Sequence, residues 1–229
     1  MPLFSKLEQL TQAPHAAYIQ TSNHFVFCAS PERFLEKKGD LLRSEPIKGT
    51  APRHPDALTD KALATKLKND PKERAENIMI VDLVRNDLSQ LAQKDTVNVD
   101  ELCEIYSFAT VHQMISKISC VLKPNTSFTD ILKYTFPMGS MTGAPKISAM
   151  QHIEALEDFK RGLYSGSIGL IEPNGDFDFN VVIRSLIYNR NTKYLSCAVG
   201  SAVTIEAEAE KEYQECLLKA NKLIYGLQS

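Results

Sequence analysis

Residues 164–204 read YSGSIGLIEPNGDFDFNVVIRSLIYNRNTKYLSCAVGSAVT. Two turn sequences, PNGD at 173–176 and NRN at 189–191, separate apolar runs of strand length. The stretch therefore predicts three successive strands, at about 164–171, 177–188 and 194–204. Strands joined by short turns pair antiparallel. This succession favours an α+β fold class with mainly antiparallel β-sheets packed together and helices on the outside.

The remainder of the chain predicts further strands and five helices. A hairpin is expected within residues 15–36, and the next strand delivers the sequence PIKGT at 46–50. Residues 56–92 have a helical pattern that Asn69-Asp70-Pro71 interrupts, with Asp70 as the N-cap of the second helix. A strand at 103–122, helices at 129–136, up to 156 and at 206–225, and a glycine-rich loop at 137–146 complete the pattern. No linker or repeat is evident, so one domain over residues 1–229 is expected.

Bulk composition excludes several classes of protein. The chain has 229 residues, 43% of them hydrophobic and 24% charged, with a formal net charge of −2. Nucleic acids and anionic membranes are therefore not expected as main partners, because both require a basic surface. No apolar run reaches the length of a membrane span, and the N-terminus lacks a signal-peptide core. Five cysteines without a CxxC pair indicate reduced thiols, so a cytoplasmic location is predicted.

Lys48 is the most informative single residue in this sequence. It stands between the apolar pair Pro46-Ile47 and the turn Gly49-Thr50. Burial lowers the pKa of a lysine and exposes a nucleophilic lone pair at neutral pH. The position is typical of either a desolvated, reactive amine or an ordinary loop lysine, and the isolated string leaves both open.

Two helices each carry a pair of carboxylates one turn apart. Glu73 and Glu76 share one helix face, and Glu212 and Glu215 share another, with Lys219 one turn further along. Such pairs can form a hard-oxygen site suited to Mg²⁺, which usually takes one or two direct carboxylates. Solvent-exposed helix faces have the same pattern, so spacing alone leaves both a metal site and a solvent-exposed face open.

Three other features carry possible chemistry. The glycine-rich loop at 139–146 runs into a helix and could hold an anion with its backbone N–H groups, or could simply connect two elements. Arg184 on a strand could bind a carboxylate with two hydrogen bonds, whereas His112 on a strand is more typical of a buried structural histidine. Glu32 follows a proline in a turn and could be a surface acid or a positioned general acid.

Taken together, seven strings in this order resemble the chorismate-utilising enzymes. They are SPERF at 30–34, PIKGT at 46–50, RAENIMIVDLVRND at 74–87, VHQMIS at 111–116, GSMTGAPK at 139–146, NVVIRS at 180–185 and EYQECLLKANK at 212–222. The ordered set is far more specific than any one string. Anthranilate-forming members of that family carry alanine at the third position of PIxGT, whereas members that make 4-amino-4-deoxychorismate carry lysine. The lysine in this chain therefore implies the second activity, a step toward p-aminobenzoate and folate.

The resemblance implies a covalent mechanism. Lys48 would attack C2 of the chorismate ring as the C4 hydroxyl leaves, and Glu32 would be the general acid that protonates that hydroxyl. Ammonia would then add at C4 and expel the lysine. A separate glutamine amidotransferase (glutaminase) subunit would supply the ammonia.

The resemblance also implies the binding residues. Glu76 and Glu215 would ligate Mg²⁺ directly, while Glu73 and Glu212 would hold metal-bound waters. The residues implied in substrate binding are Gly49, Thr50, His112, Ser140, Arg184, Gly200 and Lys219. Of these, Arg184 and the backbone at Gly200 would grip the enolpyruvyl carboxylate.

Two departures and three alternatives accompany the resemblance. The chain is much shorter than such enzymes, which implies that it is the C-terminal part of the full family fold. Val199 and Ser201 stand where relatives have a glycine-richer sequence, which restricts a backbone that must approach the substrate. The alternatives are an isochorismate- or salicylate-forming relative, an anthranilate-forming relative, and an inactive chorismate-binding fragment.

Overall fold

The computed structural model describes residues 2–205 and 207–228. In these ranges the helices are α1 (Pro2–Thr11), α2 (Ala57–Asn69), α3 (Pro71–Leu91), α4 (Phe128–Thr135), α5 (Lys146–Leu156) and α6 (Ala209–Gln228), with a 3₁₀ turn at Gly139–Met141. The strands are β1 (His15–Gln20), β2 (His24–Ser30), β3 (Arg33–Lys38), β4 (Leu41–Glu45), β5 (Ile47–Pro52), β6 (Asn98–Ser107), β7 (Val111–Val121), β8 (Ser167–Ile171), β9 (Phe177–Val181), β10 (Ser185–Asn189) and β11 (Tyr194–Ser196).

The chain divides into two compact units. The four-strand unit consists of Met1–Pro31, Arg161–Ile168 and Val181–Ser229, and the seven-strand unit consists of Glu32–Lys160 and Gly169–Asn180. Each unit is assembled around one of the two β-sheets. The prediction of a single domain over residues 1–229 stays a prediction.

The four-strand unit has a sheet of order β1-β2-β10-β11, in which each pairing is antiparallel. Leu186 on β10 packs with Leu7 of α1 and Leu223 of α6, and each of the three side chains is 1% exposed. The first and last helices of the chain therefore share one apolar core with the sheet. Burial of three leucines is expected to contribute roughly 1.5–3 kcal/mol for each side chain.

The seven-strand unit is organised around β7. The sheet order is β5-β7-β4-β3-β9-β8, and β6 also pairs with β7. All but two residues of β7 are buried, as expected for a strand covered on both faces. Its Met114 packs with Leu67 of α2 and Cys103 of β6. β7 is thus the strand against which α2 and α3 pack.

Local sequence explains the break between α2 and α3. The Asp70 side chain accepts hydrogen bonds from the backbone N–H groups of Lys72 and Glu73, and Pro71 follows at the first helical position. Asp70 also ends α2, because a residue before proline is disfavoured in helical conformation. The predicted interruption at 69–71 is confirmed.

For three of the strands, the bounds predicted from the sequence are wrong. The strand predicted at 103–122 is two strands, β6 and β7, with a turn in which the Phe108 N–H donates to the Val111 carbonyl at 2.8 Å. The strand predicted at 177–188 is β9 and β10, which lie in different sheets. They separate near Arg184, whose φ of 50° is left-handed and incompatible with extended strand. The strand predicted at 194–204 stops at Ser196.

The predicted fold class is confirmed, since both sheets are antiparallel in their described registers and helices accompany each. Helix α1 was not predicted from the sequence. The last helix begins at Ala209, and Glu206, where its start was predicted, lies outside the described residues. Across the described part of the chain, no helix combines the length and apolarity needed to cross a membrane.

We expect Leu88→Ala to destabilise the seven-strand unit strongly, because Leu88 on α3 is 0% exposed and its removal leaves a cavity. The expected loss in the free energy of unfolding is about 2–5 kcal/mol, measured by urea denaturation. Leu58→Ala is the matched control, since Leu58 on α2 is 81% exposed. Equal losses in the two variants would contradict the assignment of Leu88 to the core.

Candidate active site

Lys48 lies in a β-bulge. Strand β5 pairs with β7 at Ile47↔Ile115 and again at Thr50↔Gln113, and the register shifts between these two pairs. Lys48 and Gly49 occupy the irregular stretch, where Gly49 has a left-handed φ of 89°. A bulge re-aims its side chains out of the regular in-and-out alternation. Lys48 is half-buried there.

The backbone of Gly49 packs directly on α3. A Cβ atom placed on Gly49 would lie 3.1 Å from Oε2 of Glu73 and 3.1 Å from Cδ1 of Leu67. Only a residue without a side chain permits this approach without displacing its neighbours. The structure therefore brings the Lys48–Gly49 bulge and the first predicted carboxylate pair together.

Glu32 belongs to the same end of the sheet. It is 5% exposed and immediately precedes β3, whose first residue, Arg33, pairs with Glu45. Glu32 thus directly precedes the residue that pairs with Glu45, and Glu45 lies three residues before Lys48 in the chain. The role of Glu32 as the general acid stays a prediction.

A buried polar network fixes the part of α3 that carries Glu73 and Glu76. The Asn77 side chain, next to Glu76, donates to the Met114 carbonyl on β7 at 3.5 Å and accepts from the Ser116 hydroxyl. Asn77 is 1% exposed, so its polar groups require such partners. The Glu76 side chain is 13% exposed and has the Lys72 ammonium 4.0 Å away.

The glycine-rich loop is fixed to α3 at both ends. A Cβ on Gly139 would lie 2.7 Å from Cδ2 of Leu83, and the Lys146 ammonium lies 2.6 Å from a carboxylate oxygen of Asp87. Burial raises the pKa of the Asp87 carboxyl, and the Lys146 ammonium acts against this. Between the two ends, the Ser140 hydroxyl oxygen is buried and has no hydrogen-bond partner within the described residues. Its capacity to donate is consistent with the predicted contact to a ligand.

His112 has protein partners on both ring nitrogens. Nδ1 is 2.8 Å from the Ser107 hydroxyl and Nε2 is 3.0 Å from Asp60 Oδ1. The Arg53 guanidinium, followed by the His54 backbone N–H, holds the pKa of Asp60 well below its usual range. Arg53 directly follows β5, so this cluster ties the end of the lysine-bearing strand to α2 and β7. The predicted role of His112 in lining a substrate pocket stays a prediction.

The four-strand unit holds Arg184 in a rare backbone conformation. Its φ of 50° is left-handed, and its carbonyl accepts a hydrogen bond of 3.1 Å from the Ala29 N–H on β2. The Ser185 hydroxyl donates to the Ile183 carbonyl at 2.9 Å. Strained conformations of this kind persist where neighbouring structure imposes them, and they often lie at functional sites.

Lys219 connects α6 to the segment that contains Gly200. Its ammonium donates to the Gly200 carbonyl at 2.9 Å and lies 2.6 Å from Glu215 Oε1. A trans peptide directs its C=O and N–H to opposite sides. The N–H of Ser201 therefore points away from the Lys219 ammonium, and the predicted grip on a carboxylate stays a prediction.

Sequence reasoning missed Tyr164. A Cβ on Gly200 would lie 2.7 Å from its hydroxyl oxygen, so the tyrosine packs against the segment predicted to bind a carboxylate. Arg161 lies over the Tyr164 ring, 6.0 Å from its centroid. The signal available in the sequence was a tyrosine next to Ser165-Gly166, but only the fold places it beside Gly200.

Each unit presents one of the predicted carboxylate pairs on a helix face. Glu73 and Glu76 lie on α3, and Glu212 and Glu215 lie on α6. Among residues 2–205 and 207–228, no group of three or more His, Cys, Asp or Glu side chains is arranged as a metal site. A pair of half-buried or exposed carboxylates fits Mg²⁺, which keeps several waters and takes one or two protein carboxylates.

Comparisons with a family model and with curated proteins point to the same family. The family model for chorismate binding enzymes matches residues 1–225. Aminodeoxychorismate synthase component 1 of Klebsiella aerogenes is 38% identical over 99% of this chain and 50% of its own length. The protein of the same name from Escherichia coli strain K12 is 38% identical over 98% of this chain and 49% of its own. This chain thus spans about half the length of these curated relatives.

Solved structures agree with the fold. Anthranilate synthase component I from Streptococcus pneumoniae TIGR4 superposes with a TM-score of 0.85 at 33% identity, covering 96% of this chain and 48% of that chain. The menaquinone-specific isochorismate synthase from Escherichia coli gives a TM-score of 0.85 at 23% identity, covering 98% and 52%. The second likeness shows the shared fold alone.

We expect Gly49→Ala to lower the free energy of unfolding by about 1–3 kcal/mol more than Gly175→Ala does. Both glycines have a left-handed φ, of 89° and 84°, but only Gly49 has neighbours within 4 Å of the added Cβ. The difference measured by urea denaturation therefore isolates the contact with Glu73 and Leu67. Equal effects would show that the bulge does not pack on α3.

The Arg53–Asp60 contact predicts a pH-dependent stability. Because the folded-state pKa of Asp60 is lowered, its ionised carboxylate stabilises the fold above its unfolded pKa of about 3.9, and this is lost as the pH falls through the folded pKa. Arg53→Met is expected to remove much of that stabilisation. The stability difference between wild type and Arg53→Met should therefore shrink as the pH falls from about 5 to about 2 in denaturant titrations.

Arg85→Met is the matched control for this pH dependence. Arg85 pairs with Asp82, and their side chains are 51% and 65% exposed. Its effect on the free energy of unfolding is expected to be small at both pH values. A difference between wild type and Arg53→Met that stays constant with pH would contradict the prediction.

Proposed function

The chain belongs to the chorismate binding enzyme family, and we propose that it forms 4-amino-4-deoxychorismate from chorismate and ammonia. The observation that carries this proposal is the Lys48–Gly49 bulge, where Gly49 approaches Glu73 in the unit that also contains the buried Glu32. The residues implied as nucleophile, acid and metal-side carboxylate thus occur together in the seven-strand unit. The names of relatives that are 38% identical support the same activity.

In the proposed first step, the neutral Lys48 amine attacks C2 of the ring. A C2–N bond forms, the ring double bond shifts, and the C4–O bond breaks. Glu32 donates the proton that lets the C4 hydroxyl leave as water, and the proton that the lysine nitrogen loses returns Glu32 to its protonated form. The burial of Glu32 keeps bulk water away from the proton that it donates. The half-buried position of Lys48 limits competing attack by water.

In the second step, ammonia forms a bond at C4 and the Lys48 nitrogen leaves C2. The lysine regains its proton and the enzyme returns to its starting state. Two relatives carry the name component 1, which implies a second component in those proteins. We propose that a glutamine amidotransferase supplies the ammonia in the present case.

Cationic and N–H groups of the four-strand unit are the proposed anion binders. Arg184 can form two parallel hydrogen bonds with a carboxylate, and the Ser201 N–H points away from the Lys219 contact. Chorismate carries two carboxylates, so positive groups are needed in a chain whose net charge is −2.

We further propose that the carboxylate pairs hold Mg²⁺. In each pair one carboxylate is the proposed direct ligand, Glu76 on α3 and Glu215 on α6, and the other, Glu73 or Glu212, is the proposed partner of metal-bound water. When bound, Mg²⁺ would supply a positive charge for the ring carboxylate and act as a template for its orientation. The role of these residues is to present ionised oxygens at fixed positions on their helices.

Incubation with chorismate and Mg²⁺ without ammonia is expected to trap the lysine adduct. Its mass should equal the protein plus chorismate less one water, and peptide mapping should place it on Lys48. Lys48→Ala should abolish the adduct and reduce product formation with ammonium salt by at least about a hundredfold, as for loss of a covalent nucleophile.

Lys38→Ala is the matched control, because Lys38 lies in the same sheet with a side chain that is 72% exposed. It should retain both the adduct and the activity. Isochorismate as the sole product of the wild type would contradict the proposed function. An adduct on another lysine would contradict the role of Lys48.

A further inference from the structure

The segment at Gly200 and Ser201 is attached to α6 at two points. The Ser201 hydroxyl donates a hydrogen bond to a carboxylate oxygen of Glu212, and the Lys219 ammonium donates to the Gly200 carbonyl at 2.9 Å. Residues 212 and 219 are two helical turns apart, so both project from one face of α6, about 10 Å apart along its axis. Two successive residues of the segment are therefore held along that face.

Glu215 lies on the same face, between these two attachment points. Its carboxylate is 2.6 Å from the Lys219 ammonium. The segment thus contacts Glu212 directly and reaches Glu215 through Lys219. The sequence marked Ser201 only as a departure from the glycine-richer pattern, but the structure gives its side chain a specific partner.

We propose that Ser201 is a positioning residue for the Glu212 carboxylate, and through it for a divalent cation at the Glu212–Glu215 pair. This inference rests on the metal site of the proposed function. A glutamate side chain has several rotamers, and a hydroxyl donor selects one of them. A carboxylate offers about four acceptor positions, so it can accept from a hydroxyl and from metal-bound water at the same time.

The expected size of the effect on metal binding follows from residues in other proteins that hydrogen-bond to a metal ligand. Loss of a residue that orients a metal-side ligand typically weakens metal binding by about 10–100-fold. Glycine at position 201 would free the backbone but supply no hydroxyl. Serine at position 201 restricts the backbone more than glycine would, but its hydroxyl orients the Glu212 carboxylate.

The test is calorimetric titration of the 229-residue chain with Mg²⁺ alone, without chorismate. Ser201→Ala is expected to raise the Kd for Mg²⁺ at least about tenfold. Ser201→Thr retains the hydroxyl and is expected to bind within about threefold of wild type. If Ser201→Ala does not fold, Ser201→Gly provides the same comparison because it also lacks the hydroxyl.

Lys211→Met is the matched control on the same helix. It removes the ion pair between Lys211 and Glu208, whose side chains are 73% and 65% exposed. It should therefore leave the Kd for Mg²⁺ unchanged. A second readout separates positioning from a purely structural role. The increase in Tm on adding Mg²⁺ should be smaller in Ser201→Ala than in wild type, whereas a structural role would lower Tm equally with and without Mg²⁺.

The outcomes distinguish this inference from the proposed function. Equal Mg²⁺ affinity in wild type and Ser201→Ala overturns the role of Ser201 and leaves the proposed reaction standing. A wild-type chain that binds no Mg²⁺ overturns both the role of Ser201 and the metal site of the proposed function. Weaker binding in Ser201→Ala, restored in Ser201→Thr, supports the inference.

Discussion

The contact between the bare backbone of Gly49 and α3 is the constraint on which the rest of the candidate site depends. It requires a bulge in β5, a residue without Cβ at that point, and a helix fixed close to the sheet. The helix is fixed by Asn77, which is buried and hydrogen-bonded to β7. Loosening any of these would move Lys48 relative to Glu73, and displacements of about 1 Å matter in catalysis.

Features encoded in a few adjacent residues could be predicted from the sequence. The break between α2 and α3 follows from Asp70-Pro71, since capping and proline geometry act within one turn. Helices α4 and α5 were predicted to within about two residues, which is the usual uncertainty of helix ends. The ordered motifs identified the family, because many residues at fixed positions together are far more specific than local pattern.

Features that depend on distant contacts or on backbone conformation could not be predicted. The separation of β9 from β10 follows from the left-handed conformation of Arg184, which its residue type does not require. The approach of Gly49 to Glu73 joins residues that are far apart in sequence. Tyr164 illustrates the same limit, because its neighbour Gly200 comes from a later part of the chain.

The bulge at Lys48 also has a consequence for how such enzymes diversify. A residue in a bulge does not take part in the regular strand ladder, so exchanging its side chain leaves the sheet's hydrogen bonds in place. The penalty in fold stability for changing this position is correspondingly small. Selection can therefore change the side chain at this position by a single codon change without first acquiring compensating mutations elsewhere.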